Sequence, residues 1–439
     1  MSDKTTKIEP RSLQGFMELS PSRQVLFNRV QDTIRAAYER FGFLPLDTPV
    51  LEYASVLLAK AGGETEKQMY RFTKGDTDMV MRFDLTVPLA KYVAKNYNEL
   101  NFPFRRYQIG KVYRGERPQK GRFREFYQCD IDVVGDGKLS LQADAEIPGI
   151  IYTVFKKLGF DRFKIRISNR KILAGFLDGL RLSEKASEIS GVIDKYKKVG
   201  GEKVRGDLIA LGISAKSTDA IMDFIAFDGM ADIQIKRLSG FSSGALFSEG
   251  VAELSEVIQG IRMFGVPEDN FTVDLKIVRG LDYYTGTVYE TFLDEFENIG
   301  SVCSGGRYEN LAGFYTDKKL PGVGISIGLT RLFDKLCEVM EQKSGAVSTV
   351  LVLSPDGETE ACIKTASILR ERGINTEVYL EEAKIKSKFK YADRLGIPFV
   401  IIIGASEREM NKVTLKNMMT GEQNSVTIED VISAIGYHG

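Results

Sequence analysis

From Tyr107 to Gly135 the chain alternates apolar and polar residues with period two at both ends, around a polar middle from Gly115 to Arg124. Period two is the signature of half-buried strands. The stretch therefore predicts a long hairpin, and its loop has the size that is usually functional. In the second arm Tyr127, Cys129, Ile131 and Val133 fall on one face, and Gln128, Asp130 and Asp132 on the other.

Elsewhere the pattern switches between periods. Ser20-Pro21 starts a helix, along which Phe27, Val30, Ile34, Ala37 or Tyr38, and Phe41 recur until Gly42. Phe43–Tyr53 is extended, and Pro45 and Pro49 suit an edge strand. Met69–Ala94 reads as a hairpin turning at Lys74–Asp78, then a helix. Asp144–Leu158 reads as a helix and Phe163–Ile167 as a strand. Helical patterns dominate from Arg170 to Phe264, and strands return over Phe271–Phe292. Pro321–Leu336 gives a glycine-spaced strand and then a helix with Leu329, Leu332, Phe333 and Leu336 inward. Beyond the Lys343–Ser348 linker the chain alternates TVLVLS, a helix over Glu358–Arg372, TEVYL, a helix over Lys384–Leu395 and FVIIIG. VTLKN and SVTIE close it as strands. That is a small α/β unit with a mixed sheet.

A length of 439 residues allows two or three domains with cores of their own. The 60 basic and 60 acidic residues cancel, so a nucleic acid would be held by local patches. Cys129, Cys303, Cys337 and Cys362 show no CxxC spacing and read as reduced thiols of a cytosolic protein, without a zinc site. The start MSDKTTKIEP lacks an apolar core, and no run approaches a membrane span, so a membrane location is not expected. A single histidine, His438, argues against histidine-based triads and metal sites. Neither GxGxxG nor GxxxxGK follows a strand.

The polar loop of the long hairpin carries Arg117, Lys120, Arg122 and Arg124 beside an acidic strand face. Such a pairing can hold a zwitterion together with a polyphosphate, although a solvated hairpin with surface ion pairs has the same composition. Arg331 falls in the first turn of a helix, a place that favours anions over cations. Asp84 ends a strand, where it can meet an ammonium or cap the next helix. RGLDYYTG (Arg279–Gly286) packs a guanidinium, a carboxylate and two tyrosines between glycines.

These segments resemble the signature motifs of one family. YRGERPQKGRFREF resembles the second motif of class II aminoacyl-tRNA synthetases in its histidyl form, and the helix and strand over residues 20–53 resemble the first. PGVGISIGLTRLFDKL resembles the third, with Thr330 where many members carry glutamate. RGLDYYTG resembles the histidine-binding signature, SVCSGGRYENL its glycine-rich companion, and RFDLTVPLA the segment that binds the substrate amine. The last is in the eukaryotic and archaeal form, whereas RPQKG is of bacterial type.

The resemblance implies an α+β fold: a class II antiparallel sheet with flanking helices, a helical insertion domain and a C-terminal α/β anticodon-binding domain. It divides the chain into a catalytic core over 1–169 and 265–342, an insertion over 170–264 and an anticodon-binding domain over 349–439. It implies activation of histidine with ATP and Mg²⁺, then transfer to histidine tRNA. The implied setting is a cytoplasmic homodimer without zinc.

Residue by residue, the resemblance gives Arg114 and Arg279 catalytic roles. Arg114 would hold the α-phosphate, Arg331 the γ-phosphate, and Arg279 would bridge the substrate carboxylate and the α-phosphate. Glu116 and Arg122 would complete the ATP site. Asp84, Thr86 and Gln128 would take the amine, and Asp132 and Tyr284 the imidazole, with Tyr283 as a wall. Phe126 or Tyr127 would stack on adenine. Arg117 and Gln119 would read the extra 5′ guanosine of histidine tRNA. Lys384 and Lys388, in the basic cluster with Lys386 and Lys390, would contact RNA. The alternative is a regulatory paralogue that serves an ATP phosphoribosyltransferase as a binding subunit. Such proteins typically lack the C-terminal domain and lose the catalytic arginine, and this chain keeps both.

Overall fold

In the computed structural model, which describes residues 8–58, 66–117, 121–226, 229–241, 244–278, 283–339 and 346–435, the long hairpin forms from β5 (Phe104–Tyr113) and β6 (Glu125–Val134). Its antiparallel register sets Arg106 opposite Asp132, Gln108 opposite Asp130 and Gly110 opposite Gln128. The remaining partners are β1 (Leu44–Pro45), β7 (Phe163–Asn169), β8 (Phe271–Val273), β9 (Thr287–Leu293), β10 (Cys303–Tyr308) and β11 (Gly322–Gly328). They join in the order β1-β5-β6-β11-β10-β9-β7-β8. The middle of the sheet is antiparallel, and the two outermost pairs, β1 with β5 and β7 with β8, are parallel.

The hairpin is thus central to the sheet, and this corrects the half-buried reading. Every residue from Gln128 to Val134 is buried, the polar face included. One face packs as core: Tyr107, Ile131 and Ile325 are register partners across three strands. Helix α1 (Pro21–Arg40) reaches that side, where the Tyr38 hydroxyl donates to the Cys129 carbonyl at 3.0 Å. Helix α3 (Gln142–Lys157) also lies there, where the Tyr289 hydroxyl donates to the Asp144 carbonyl. The opposite face carries Arg106, Gln108, Gln128, Asp130, Asp132 and Ser326, and on it the site is built.

The proline-rich segment after α1 splits between two sheets. β1 edges the large sheet, and β2 (Leu51–Tyr53) pairs with β4 (Thr77–Met81), which also pairs with β3 (Arg71–Lys74). Helix α2 (Thr86–Lys95) follows β4. Between β7 and β8 the chain is helical, from Arg170–Gly179 to Gly244–Met263.

By contacts the chain divides into two compact units, Met1–Met17 with Val30–Leu336, and Glu18–Arg29 with Cys337–Gly439. The second holds a mixed sheet of β12 (Val350–Leu353), β13 (Thr376–Val378), β14 (Phe399–Ile402), β15 (Val413–Asn417) and β16 (Gln423–Val426), in the order β13-β12-β14-β15-β16. β13, β12 and β14 are parallel, and β15 and β16 antiparallel. SVTIE is only partly strand. Thr427 and Asp430 cap each other's backbone N–H groups, at 3.1 and 3.2 Å, and start a helix over Ile428–Ile435.

Candidate active site

A cavity of about 240 Å³ opens over the polar face, lined among others by Arg114, Glu116, Arg122, Phe126, Gln128 and Arg331. Arg114 follows the last residue of β5. Its Nε donates to the Phe83 carbonyl at 3.2 Å, and its guanidinium lies 4.3 Å from the Phe83 ring centroid and 5.1 Å from that of Phe126. Arg331 sits in the first turn of helix α4 (Leu329–Val339). It donates to the Gly121 and Ser301 carbonyls at 3.1 and 2.7 Å. Burial, then the charges of Arg122 and Arg114, push the Arg331 guanidinium below its ordinary value. Guanidiniums that repel one another in a cavity are held ready for a polyanion.

Phe126 and Tyr127 part at this point. Phe126 lines the cavity with Gln128, two residues along the same strand face. Tyr127 belongs to the other face, and its backbone N–H donates to the Thr330 hydroxyl at 2.9 Å. Thr330, buried, therefore ties α4 to β6.

Deeper along the face lies a cluster of buried polar groups. Asp84 accepts from the backbone N–H of Val87 at 3.1 Å, so it caps α2, and Thr86 is that helix's first residue. Asp132 pairs with Arg106 at 2.6 Å and accepts from the Tyr308 hydroxyl at 3.1 Å. Tyr308 reaches it across β11 over two glycines: a Cβ at Gly322 would come within 2.4 Å of the Tyr308 ring, and Gly324 lies against Asp132. A Cβ there would come within 2.2 Å of an Asp132 oxygen. Tyr283 and Tyr284 meet edge to face at 4.7 Å, and Tyr283 and Tyr308 at 6.1 Å.

The structure thus gathers Arg114, Glu116, Arg122, Gln128 and Arg331 in the cavity, and Asp132, Tyr283 and Tyr284 in one contact cluster through Tyr308. Asp84 belongs to the same surroundings, since its charge acts on both Asp132 and Tyr284. Arg117 is exposed. Gln119 and Arg279 lie outside the described residues. In the second unit Lys384 is exposed just before helix α5 (Ile385–Leu395). Lys388, expected beside it as a surface RNA contact, is corrected. Only 8% exposed, it turns inward and donates to the Ser354 carbonyl at 2.9 Å. Among the described residues no group of three or more His, Cys, Asp and Glu side chains could hold a metal ion.

Sequence reasoning missed Arg106 and Tyr308 and gave Asp130 no role. Arg106 is fully buried, and pairing the hairpin about its loop would have placed it opposite Asp132. Asp130 and Asp132 are both raised, to about 7 and about 6, mainly by burial and against the pull of Arg106. A carboxyl raised above its unfolded value, roughly 4, favours the folded state below that value. The contribution is lost as pH rises through the folded value. Between pH 5 and pH 8 the ligand-free wild type should therefore lose on the order of 2–4 kcal/mol of stability relative to Asp130→Asn. Urea unfolding of both proteins at the two pH values measures this, and parallel pH profiles would refute it.

Residues 15–332 match the family model described as histidyl-tRNA synthetase, and residues 348–437 the anticodon binding domain. The histidine–tRNA ligase of Clostridium tetani is 55% identical over 433 residues, 98% of this chain and 98% of that protein. That of Clostridium acetobutylicum is 46% identical, covering 97% and 99%. The crystal structure of the histidyl-tRNA synthetase from Nostoc sp. superimposes with a TM-score of 0.91 at 41% identity, covering 99% of this chain and 100% of that one. Family model, relatives and fold coincide over nearly the whole length: the chain belongs to the histidyl-tRNA synthetase family, among the class II aminoacyl-tRNA synthetases.

Proposed function

We infer that the chain is a histidine–tRNA ligase, which makes histidyl-adenylate from histidine and ATP and transfers the histidyl group to the 3′ end of histidine tRNA. The observation that carries this is the cavity in which Arg114, Arg122 and Arg331 converge beside buried carboxylates. The binding-subunit alternative is not favoured, since the relatives covering 98% and 97% of this chain are themselves named as ligases.

In the first step a carboxylate oxygen of histidine attacks the α-phosphorus of ATP, and pyrophosphate leaves. Negative charge meets negative charge, so positioning and cationic stabilisation supply most of the catalysis. Arg114 holds the α-phosphate and Arg331 the γ-phosphate, with Arg122 and Glu116 completing the ATP site. ATP enters with its Mg²⁺ as substrate. Arg279, through the family motif, bridges the histidine carboxylate and the α-phosphate. Asp84, Thr86 and Gln128 take the amine. Asp132 and Tyr284 take the imidazole against Tyr283. Asp132 is pre-positioned by Arg106 and Tyr308 and still has lone pairs for a ring N–H. In the second step a hydroxyl of the tRNA's terminal adenosine attacks the carbonyl carbon, and AMP leaves.

Histidine-dependent exchange of pyrophosphate into ATP, followed by charging of histidine tRNA, tests the reading. Exchange driven by another amino acid, or by none, would sink it.

Phe126, in the cavity lining, is the residue that stacks on adenine. Phe126→Ala should raise the KM for ATP by roughly 5- to 100-fold, and Tyr127→Phe should leave it in place. The opposite pattern in steady-state exchange kinetics would move the adenine to Tyr127.

For tRNA, Arg117 and Gln119 read the 5′ guanosine. Lys384 is the basic residue of the second unit assigned to RNA, with exposed Lys386 and Lys390 beside it. A homodimer is supported by apolar side chains left open on the edge strands, Leu44 at 61% and Tyr53 at 63% exposure. No helix is long and apolar enough to cross a membrane among the described residues. The cytoplasm is where these substrates are found.

A further inference from the structure

Asp130 is a buried carboxylate that forms no ion pair among the described residues, although the Nε and Nη1 of Arg106, on the neighbouring strand, are also buried without a hydrogen-bond partner there. Asp130 lies on β6 between Gln128 and Asp132, is 2% exposed, and one of its oxygens, Oδ1, has no hydrogen-bond partner among the described residues. Across the hairpin, Gln108 gives its amide to Asp47 at 2.8 Å and to Thr48 at 3.1 Å. Arg106 gives Nη2 to Asp132 at 2.6 Å and to the Leu85 carbonyl at 3.3 Å. On β11 the Ser326 hydroxyl takes the Gln128 amide at 2.6 Å and serves Asp130 in turn. That commits the Gln128 N–H and leaves its carbonyl Oε1, also buried, without a donor among the described residues.

Two buried acceptors therefore stand unpaired at adjacent positions of one strand face, bridged by one serine. A buried acceptor without a donor is costly, and such groups in a native fold call for a reason. Asp84 is close enough for its charge to act on Asp130. It is a further carboxylate, with lone pairs beyond those that cap α2. Three acceptors, two of them anionic, complement a group with three N–H donors and one positive charge.

We propose that Asp130 binds the α-ammonium group of the substrate amino acid, which it shares with Gln128 Oε1 and Asp84. The proposal rests on reading this pocket as the histidine site and adds to it a residue assigned no role there. Asp132, paired with Arg106, stays with the ring. Asp130, which among the described residues pairs with no cation, takes the cationic end. The ammonium adds to the pull of Arg106 the direct cationic contact that this carboxylate lacks among the described residues. Because burial raises Asp130 to about 7 in the absence of ligand, so that it is partly protonated at neutral pH, the arriving cation also drives that proton off.

The test compares histidinol, which keeps the ammonium and the ring, with 3-(imidazol-4-yl)propan-1-ol, which lacks only the ammonium. Both are read as inhibitors of histidine-dependent pyrophosphate exchange. In Asp130→Asn, histidinol should bind at least ~10-fold more weakly. The des-amino alcohol should bind as it does to wild type, and the KM for ATP should not move. Equal weakening of both inhibitors would assign Asp130 to the ring or to the fold, and an unchanged histidinol would leave it no contact at all. Either result overturns the proposal. Should asparagine not fold, the wild type still decides. Calorimetry at pH 7 in two buffers of different ionisation enthalpy should show proton release with histidinol beyond that with the des-amino alcohol. Equal release overturns the proposal. A wild-type protein that neither exchanges with histidine nor binds histidinol overturns the pocket reading itself, which is a separate failure.

Discussion

Arg114→Ala should lower histidine-dependent pyrophosphate exchange by roughly 10²- to 10³-fold, the usual cost of removing one donor aimed at developing charge. The loss should fall on kcat more than on the KM for ATP, because the charge on the α-phosphate oxygens grows as the carboxylate attacks. The geometry explains why this arginine can act without rearranging. Its Nε is anchored on the Phe83 carbonyl, and its guanidinium lies against the Phe83 and Phe126 rings. Asp84 pulls against the burial that would otherwise favour losing its proton. Arg114→Lys keeps the charge but not the planar fork, and should recover only part of the rate. Single-turnover adenylation with saturating ATP and histidine is the measurement that separates chemistry from binding. A near-normal rate in Arg114→Ala, with the protein folded by circular dichroism, would remove this residue from the mechanism.

How much of this was legible beforehand depended on the range over which each residue's environment is set. The hairpin, its loop and the two faces of β6 are local, and alternation displays them. Whether the polar face meets water is not local. It depends on β11 and β10, far later in the chain, which bring Ser326 to Asp130 and Tyr308 to Asp132. Arg106 was hidden for the same reason, since an arginine in a strand reads as exposed until its register partner is known. Lys388 failed in the opposite sense. A lysine among lysines on a helix reads as solvated, and only the carbonyl of Ser354, from a different strand end, turns it inward. The helix over Ile428–Ile435 was concealed by β-branched residues, which suit a strand until the Thr427–Asp430 cap is recognised. The place of Arg331 in the first turn of a helix, by contrast, is local, and the structure has it there.

The largest expected effect on stability lies on the other face of the same sheet. Arg307, two residues beyond Gly305 on β10, points into the core and meets Asp144 of α3. Its Nε lies 3.1 Å from both carboxylate oxygens, and Nη2 lies 2.6 Å from one of them. Nη2 also holds the Leu139 and Ser140 carbonyls at 3.1 and 3.0 Å, so the guanidinium ties the start of α3 to the sheet. The two partners feel the pairing differently. Burial pushes the Asp144 carboxyl up despite its bonds to Arg307. Burial pulls Arg307 the other way, yet its bonds to Asp144 hold its proton more firmly than usual. A pair of this kind adds little over a well-packed apolar pair, but leaving one partner alone is costly. Arg307→Met should therefore lose about 3–5 kcal/mol, the penalty of a buried and uncompensated carboxylate. Arg307→Met combined with Asp144→Leu should regain most of that loss. Urea unfolding of the wild type, both single variants and the double variant closes the cycle. If Arg307→Met costs less than about 1 kcal/mol, or the double variant is no more stable than the single one, the pair does not hold α3 to the sheet.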